Sequence, residues 1–241
     1  MSSPDDDVPA WQRRTDGESR IMATAAVIVL IGLQFVLPRN FLPDPMWVLP
    51  ALETLLLVVL VIATPVRIPR NEKWLRAIVN SARITREDKW LRVAGLVLIG
   101  LLSLATVWSA DRLVLGLIDG TLSDDPARLL GSGGAVWLTN VGVFALWYWE
   151  FDRGGPAARA NARKPLPDFL FVQMQNPELA PREWEPEFVD YLYLSFTNAT
   201  AFSPTDVMPM SRWAKAAMML QSAVSLILVV LVIARAINVL K

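Results

Sequence analysis

The chain has 241 residues, of which 54% are hydrophobic and 19% charged, and its formal net charge is zero. Soluble domains of this length carry about a quarter charged residues. The composition therefore favours a membrane protein, and the balanced charge gives no electrostatic reason to bind nucleic acid. The chain contains no cysteine and no histidine, which excludes disulfides, thiolate nucleophiles, Cys-ligated zinc and Ser–His–Asp triads. Carboxylates remain as ligands for Mg²⁺ or Ca²⁺, but the sequence predicts no cofactor and does not favour an enzyme.

Five long apolar segments follow a polar N-terminal tail at residues 1–20, which is predicted to be disordered. Each segment is near the ~20 residues that a helix needs to cross ~30 Å of hydrocarbon. Because lipid offers no partners to backbone polar groups, these segments must be helices. The predicted spans are residues 21–37, 47–66, 91–110, 135–151 and 213–240. The sequence thus predicts an all-α polytopic bundle, with a single transmembrane domain over residues 21–241.

A basic segment separates the second and third spans. Residues 67–92 interleave lysine and arginine with apolar side chains such as Trp74 and Ile78, which predicts an amphipathic surface helix over residues 71–86. This helix either binds anionic lipid or sets the topology. The positive-inside rule places the loop, and with it the N-terminus, in the cytoplasm. Span counting then puts the C-terminus outside, although Arg235 and Lys241 favour the cytoplasm, unless residues 187–205 also cross.

Residues 187–201 are too polar for an ordinary span and too apolar for a solvent-exposed loop. Asp190, Tyr193, Thr197 and Thr200 recur at helical spacing, and Pro204 follows them. The pattern predicts a half-helix with one polar face. It is either part of a re-entrant hairpin, whose non-helical backbone must be covered by protein or water, or an amphipathic helix on the membrane surface.

The stretch at residues 194–206, followed by Pro209 and the last apolar helix, resembles the pore helix, filter and inner helix of potassium channels. This resemblance covers about residues 135–240 and implies a fourfold assembly around a central pore. Both filter glycines of that family are absent, and Phe202 and Pro204 lie in the corresponding stretch. Since glycine gives the filter backbone its unusual angles, the resemblance does not extend to potassium selectivity.

The layout of most of the chain is similar to that of a family of uncharacterised bacterial polytopic inner-membrane proteins. The shared parts are an aromatic-rich helix ending in acid at residues 147–155, the half-helix, and Thr205-Asp206 before the last span. This resemblance implies a bacterial inner-membrane location. The apolar segments predict the lipid bilayer as partner, and a homo-oligomer is the assembly that the channel resemblance implies. It implies no particular activity.

The candidate site residues are polar side chains in or beside the membrane segments. Glu53 lies inside the second span, where a carboxylate is costly unless it is paired or hydrated; its structural alternative is a hydrogen bond to a neighbouring helix. Asn140 suits bonding between helices, and Asp190 suits the positive end of a helix dipole. The full set of candidates is Glu53, Asn140, Asp190, Thr197, Asn198, Thr200, Ser203 and Asp206.

Three functions compete. The leading prediction is an ion or small-solute conduit or transporter, because half-helices direct their dipoles at ions or substrates. The alternative is a non-catalytic scaffold or accessory subunit that uses residues 152–186 as its interaction surface. A membrane enzyme working through Glu150, Asp152 and Asp190 is least favoured, because no motif sets the separation of these carboxylates.

Overall fold

A computed structural model of the protein describes residues 8–38, 41, 45, 47–63, 89–120, 125–201 and 206–239. The surface helix predicted at residues 71–86 lies outside these residues. Within them the regular secondary structure is helical apart from one pair of two-residue strands. The predicted all-α class is therefore confirmed.

The long helices are α1 (Ile21–Val36), α2 (Val48–Ala63), α3 (Lys89–Ile118), α4 (Pro126–Phe151), α7 (Phe188–Ala201) and α8 (Arg212–Val239). Short elements fill the chain between α4 and α8: α5 (Pro156–Ala160), β1 (Phe169–Leu170), α6 (Val172–Gln175) and β2 (Met208–Pro209). Single 3₁₀ turns lie at Ala10–Gln12, Asp152–Gly154 and Pro177–Leu179.

Among the described residues, three helices are long and apolar enough to cross a membrane, namely α3, α4 and α8. Helices α1 and α2 are equally apolar but have 16 residues each, or about 24 Å of helix. Of the five predicted spans, three therefore meet the length and composition of a crossing helix. The protein is accordingly membrane-embedded through at least these three helices.

Two of the spanning helices extend beyond their predicted bounds. Helix α3 continues from the predicted end at residue 110 to Ile118, and α4 begins nine residues before its predicted start. The α4 start is capped: the Asp125 side chain accepts a hydrogen bond from the Ala127 backbone N–H at 2.9 Å, and Pro126 occupies the first helical position. Such a cap and a proline at the first helical position stabilise the start of a helix. Neither feature is apolar, so hydropathy does not show where α4 begins.

Helices α3, α4 and α8 share one end of the bundle, here called the Asp152 end. There α4 ends and α3 begins, and Arg92 approaches Glu150 at 3.4 Å. Helix α8 begins beside them, where the Trp213 indole N–H donates to the Asp168 carboxylate at 2.8 Å. At the opposite end the Ser109 hydroxyl of α3 donates to the carbonyl of Phe41, between α1 and α2, at 3.0 Å. Successive long helices, α7 apart, thus alternate in direction.

Helix α7 enters the bundle and the chain returns to the end where it entered. The Tyr191 hydroxyl, in its first turn, donates to the Asp152 carboxylate at 2.6 Å. Beyond α7, β2 pairs antiparallel with β1, with Pro209 opposite Phe169. Near its other end, the Asn198 amide donates to the Met218 carbonyl at 3.0 Å. The 14-residue helix, about 21 Å long, therefore ends close to the middle of α8.

Residues 8–20 pack against the Asp152 end, so the predicted disorder of the tail is wrong for this part. Ala10 and Trp11 are buried, and the Thr15 backbone N–H donates to the Ala160 carbonyl at 3.0 Å. The partners of this segment lie some 140 residues further along the chain. Local polarity therefore gave no sign of them.

The main hydrophobic core lies near the Asp152 end and is rich in aromatic rings. Phe169 of β1 is at its centre, with ring centroids 5.0 Å from Tyr148, 6.4 Å from Tyr191 and 5.4 Å from Trp213. Edge-to-face packing of this kind adds to the hydrophobic gain of burial. The core thus joins α4, α7 and α8 to the β1–β2 pair.

Close helix contacts depend on two glycines of α4. A Cβ at Gly142 would lie 2.5 Å from Leu30 of α1, and a Cβ at Gly133 would lie 2.6 Å from Val232 of α8. Val232 is β-branched and has one favoured rotamer in a helix, so it cannot move aside. A Cβ at the neighbouring Gly134 meets open space.

We expect Gly133→Ala to lower the free energy of unfolding by about 1–3 kcal/mol, because the added methyl forces α4 and α8 apart. Gly134→Ala, the matched control, should be neutral or slightly stabilising, since alanine favours helix. Thermal unfolding of the purified protein in detergent measures both. Val232→Ala in the Gly133→Ala background should restore part of the loss, and equal stability of the two single variants would contradict the close contact.

Candidate functional site

A buried set of charges lies at the Asp152 end, here called the Arg159 cluster (Glu18, Asp152, Arg153 and Arg159). The Asp152 side chain is fully buried. Its carboxylate accepts from the backbone N–H groups of Asp168 at 2.9 Å and Phe169 at 3.3 Å, and from the Tyr191 hydroxyl at 2.6 Å. One side chain thus joins the end of α4, strand β1 and the start of α7.

Arg159 links the N-terminal segment to the same cluster. Its guanidinium donates to the Trp149 carbonyl at 2.6 Å and forms an ion pair with Glu18 at 2.5 Å. Burial raises the pKa of the Glu18 carboxyl, and the positive charge of Arg159 opposes this rise. Since both side chains are about 5% exposed, neither charge has bulk water as a substitute partner.

Arg153 adopts a strained backbone conformation in the turn after α4. Its φ is +54°, in the left-handed region, and Gly154 and Gly155 follow with φ of +87° and +98°. Side chains other than glycine rarely adopt this region. The buried guanidinium offsets the cost by donating to the carbonyls of Lys164, at 2.8 Å, and Trp11.

The Arg159 cluster has no room for a substrate. The cavity beside Glu18, Arg153 and Arg159 holds about 10 Å³, which is enough for a single water. No group of three or more acidic side chains that could hold a metal ion occurs in the part of the chain that the structure describes. The geometry therefore indicates a structural role for this cluster: it holds the Asp152 end together.

A second polar assembly, here called the Gln221 network (Tyr148, Ser195, Asn198, Gln221 and Ser222), joins α4, α7 and α8. The Gln221 carbonyl oxygen accepts from the Tyr148 hydroxyl at 2.7 Å and from the Asn198 amide at 2.8 Å. Its NH₂ group donates to the Ser195 hydroxyl at 2.6 Å, and Ser222 donates to the Asn198 carbonyl oxygen at 3.2 Å. Paired in this way, these polar groups can lie inside hydrocarbon at low cost.

Three predicted site residues have structural partners. Asn198 belongs to the Gln221 network, and the Asn140 amide donates to the Ser225 hydroxyl of α8 at 3.0 Å. The Asp190 carboxylate accepts from the Glu187 backbone N–H at 2.8 Å. This is the back-bond of a capping box at the start of α7, so the structural alternative explains Asp190.

The remaining predicted residues are scattered. Thr197 and Thr200 lie on the outward face of α7 and bond to the carbonyls four residues earlier, each at 2.9 Å. Glu53 is fully buried near the opposite end of the bundle, where it accepts from Gln34 at 2.7 Å. Asp206 is exposed, and Ser203 lies outside the described residues. The candidates therefore do not form one site.

Sequence reasoning missed the partners that give these residues their roles. Gln34 lies in α1 and Gln221 in α8, and both are at most 2% exposed. Uncharged amides within long apolar segments were a visible signal, because such groups must be bonded in hydrocarbon. Their spacing along the chain did not show which helices they join.

A groove of about 700 Å³ runs between α3, α4 and α8. It extends from Asp111 and Val114 on α3 to Phe151 and Trp213 at the Asp152 end, and most of its lining is apolar. An ion would lose its hydration there without gaining partners. This groove therefore does not provide an ion path.

We expect Arg159→Gln to lower the free energy of unfolding by about 3–5 kcal/mol, because it removes the guanidinium that is paired with the buried Glu18 carboxylate. The control is Glu183→Gln, which breaks the exposed Arg13–Glu183 pair at 2.7 Å and should cost about 1 kcal/mol or less. Denaturant or thermal unfolding in detergent compares the two. Similar small losses in both variants would show that the buried pair does not hold the N-terminal segment.

Comparison of the chain with known proteins identifies no family. Neither family models, nor curated proteins, nor solved structures match the chain. The two resemblances stated from the sequence therefore stay predictions, and any function has to be argued from the contacts described above.

Proposed function

We propose that the protein is a membrane conduit or transporter for a cation or small solute, with α7 as a re-entrant half-helix. The observation that supports this most is the course of α7. The helix begins at the Asp152 end, ends close to the middle of α8, and is followed by β2 back at the Asp152 end. Helices that stop at membrane depth are typical of substrate and ion sites in transporters.

The chemistry of the inner end of α7 favours a cation. A helix C-terminus carries the negative end of the dipole, and the last turn of α7 holds no basic residue. Half-helix C-termini coordinate Na⁺ or H⁺ in known transporter folds. Thr197 and Thr200 add hydroxyl oxygens at this end, and each hydroxyl keeps a lone pair while donating to its carbonyl.

The outward face of α7 favours an assembly of several copies. Tyr193 and Phe196 on this face are 51% and 47% exposed, and Thr197 and Thr200 lie beside them. A second copy covers hydroxyl groups at membrane depth better than lipid does. We therefore propose that the path follows the α7 faces of neighbouring copies and not the apolar groove within one chain.

The topology that accompanies this proposal has five crossings, with α1 and α2 as the two shorter ones. The Asp152 end then carries the N-terminal segment, the start of α3 with Lys89 and Arg92, and the segment between α4 and α7. By the positive-inside rule this end is cytoplasmic and the C-terminus lies outside. Because the chain after α7 is back at the Asp152 end at β2, residues 187–205 do not add a sixth crossing in this topology.

We expect the purified protein in liposomes to pass monovalent cations, and Thr197→Val with Thr200→Val to reduce the flux by about tenfold. That factor corresponds to ~1.4 kcal/mol of lost cation stabilisation. The control is Val189→Ala, which lies on the exposed face of α7 nearer the Asp152 end and should leave flux unchanged. Flux equal to that of empty liposomes, or equal flux in the two variants, would contradict the proposal.

The sidedness can be tested with single cysteines, since the natural chain has none. We expect Leu166→Cys and Met210→Cys, before and after α7, to react with a membrane-impermeant maleimide from the same side. Leu130→Cys, near the start of α4, should react from the other side. All three native side chains are at least half exposed. Labelling of residues 166 and 210 from opposite sides would make residues 187–205 a crossing.

The second candidate function is a scaffold or accessory subunit. Leu166 and Leu179 are 80% and 83% exposed in the folded segment between α4 and α7, which is the segment that the sequence predicts as the interaction surface of a scaffold. In-cell cross-linking from these positions should then capture a protein other than a second copy. Recovery of the protein alone, together with measurable flux, would favour the conduit.

A further inference from the structure

Glu53 and Gln34 form an isolated polar pair between α1 and α2. The Gln34 amide N–H donates to Glu53 Oε2 at 2.7 Å. Both side chains are buried, with 0% of Glu53 and 2% of Gln34 exposed. The pair lies in apolar surroundings, since the rest of α1 and most of α2 are hydrophobic.

The pair leaves two acceptors without a donor. Glu53 Oε1 and Gln34 Oε1 have no hydrogen-bond partner among the described residues. An ionised carboxylate cannot supply a donor to either atom, because it only accepts hydrogen bonds. A protonated carboxyl group can, since its O–H donates while its other oxygen accepts. The amide and the acid then bond twice, each donating once to the other.

The charges around the pair do not favour an ionised Glu53. Among the described residues of α1 and α2, Glu53 is the only ionisable side chain. Helix α3 also packs against α2, and the ionisable groups in its half near Glu53 are Asp111 and Arg112. These two are exposed and pair with one another at 3.8 Å. Counting only the described residues, a bare carboxylate would thus be buried with one neutral donor, which is costly in hydrocarbon.

We infer that Glu53 is a proton-binding site: its carboxyl group holds a proton on Oε1 at neutral pH and donates it to Gln34 Oε1, which closes a reciprocal acid–amide pair. The ligand is H⁺, and binding it removes the charge from this part of the bundle. Releasing the proton leaves Gln34 Oε1 facing a carboxylate oxygen, so the α1–α2 contact weakens when the site is deprotonated. This inference does not depend on the proposed conduit.

Infrared difference spectroscopy of the reconstituted full-length protein tests the protonation state directly. We expect the carbonyl band of a protonated carboxylic acid at neutral pH, sensitive to exchange into D₂O and absent from Glu53→Gln. The difference between the two proteins removes the contribution of other acids. Glu53→Gln should fold normally, because two amides also bond reciprocally.

A second variant keeps the test independent of Glu53→Gln. Gln34→Leu removes both bonds of the partner, so the acid band should persist and move to the higher frequency of a free carboxyl group. The inference is overturned if the natural protein shows a carboxylate band, and no acid band, that Glu53→Gln removes at neutral pH. It is also overturned if Gln34→Leu leaves the acid band at its original frequency.

Discussion

The buried carboxylate of Asp152 is the interaction on which the arrangement of the Asp152 end depends. It accepts hydrogen bonds from β1 and from Tyr191 of α7, so it sets where the half-helix begins. The β1–β2 pair then sets where the chain returns. A buried carboxylate that lost these donors would be left with a large desolvation cost. The course of α7 therefore follows from one side chain and its partners.

Pairing of polar groups organises the membrane part in the same way. Hydrocarbon offers no hydrogen-bond partners, so each buried amide or hydroxyl must find one on another helix. Gln221 forms hydrogen bonds with Tyr148, Ser195 and Asn198, and Gln34 donates a hydrogen bond to Glu53. These contacts specify which helices meet, while glycine at positions 133 and 142 lets them approach.

The hydrogen-bond partners of the polar residues distinguish those with a structural role from those that the proposed function uses. Asn140, Asp190 and Asn198 were candidates because of their types, and their contacts explain them as links between helices or as a cap. Among the described residues, Thr197 and Thr200 bond only within their own helix, and the proposed cation contact uses these two hydroxyls. Glu53 differs from both groups, because its single bond leaves an acceptor that a proton would satisfy.

Hydropathy determined the helical class and the approximate helix positions, because these depend on each segment's own contact with lipid. The helical spacing of polar residues predicted a helix over residues 187–201, and the structure has one at Phe188–Ala201. Hydropathy placed the helix ends less well: caps such as Asp125 lie outside the apolar runs. The packing of residues 8–20, the return of the chain after α7 and the partners of Gln221 and Glu53 appear only in the folded chain. Each is a contact between residues distant in sequence, and no local pattern encodes which distant group will be its partner.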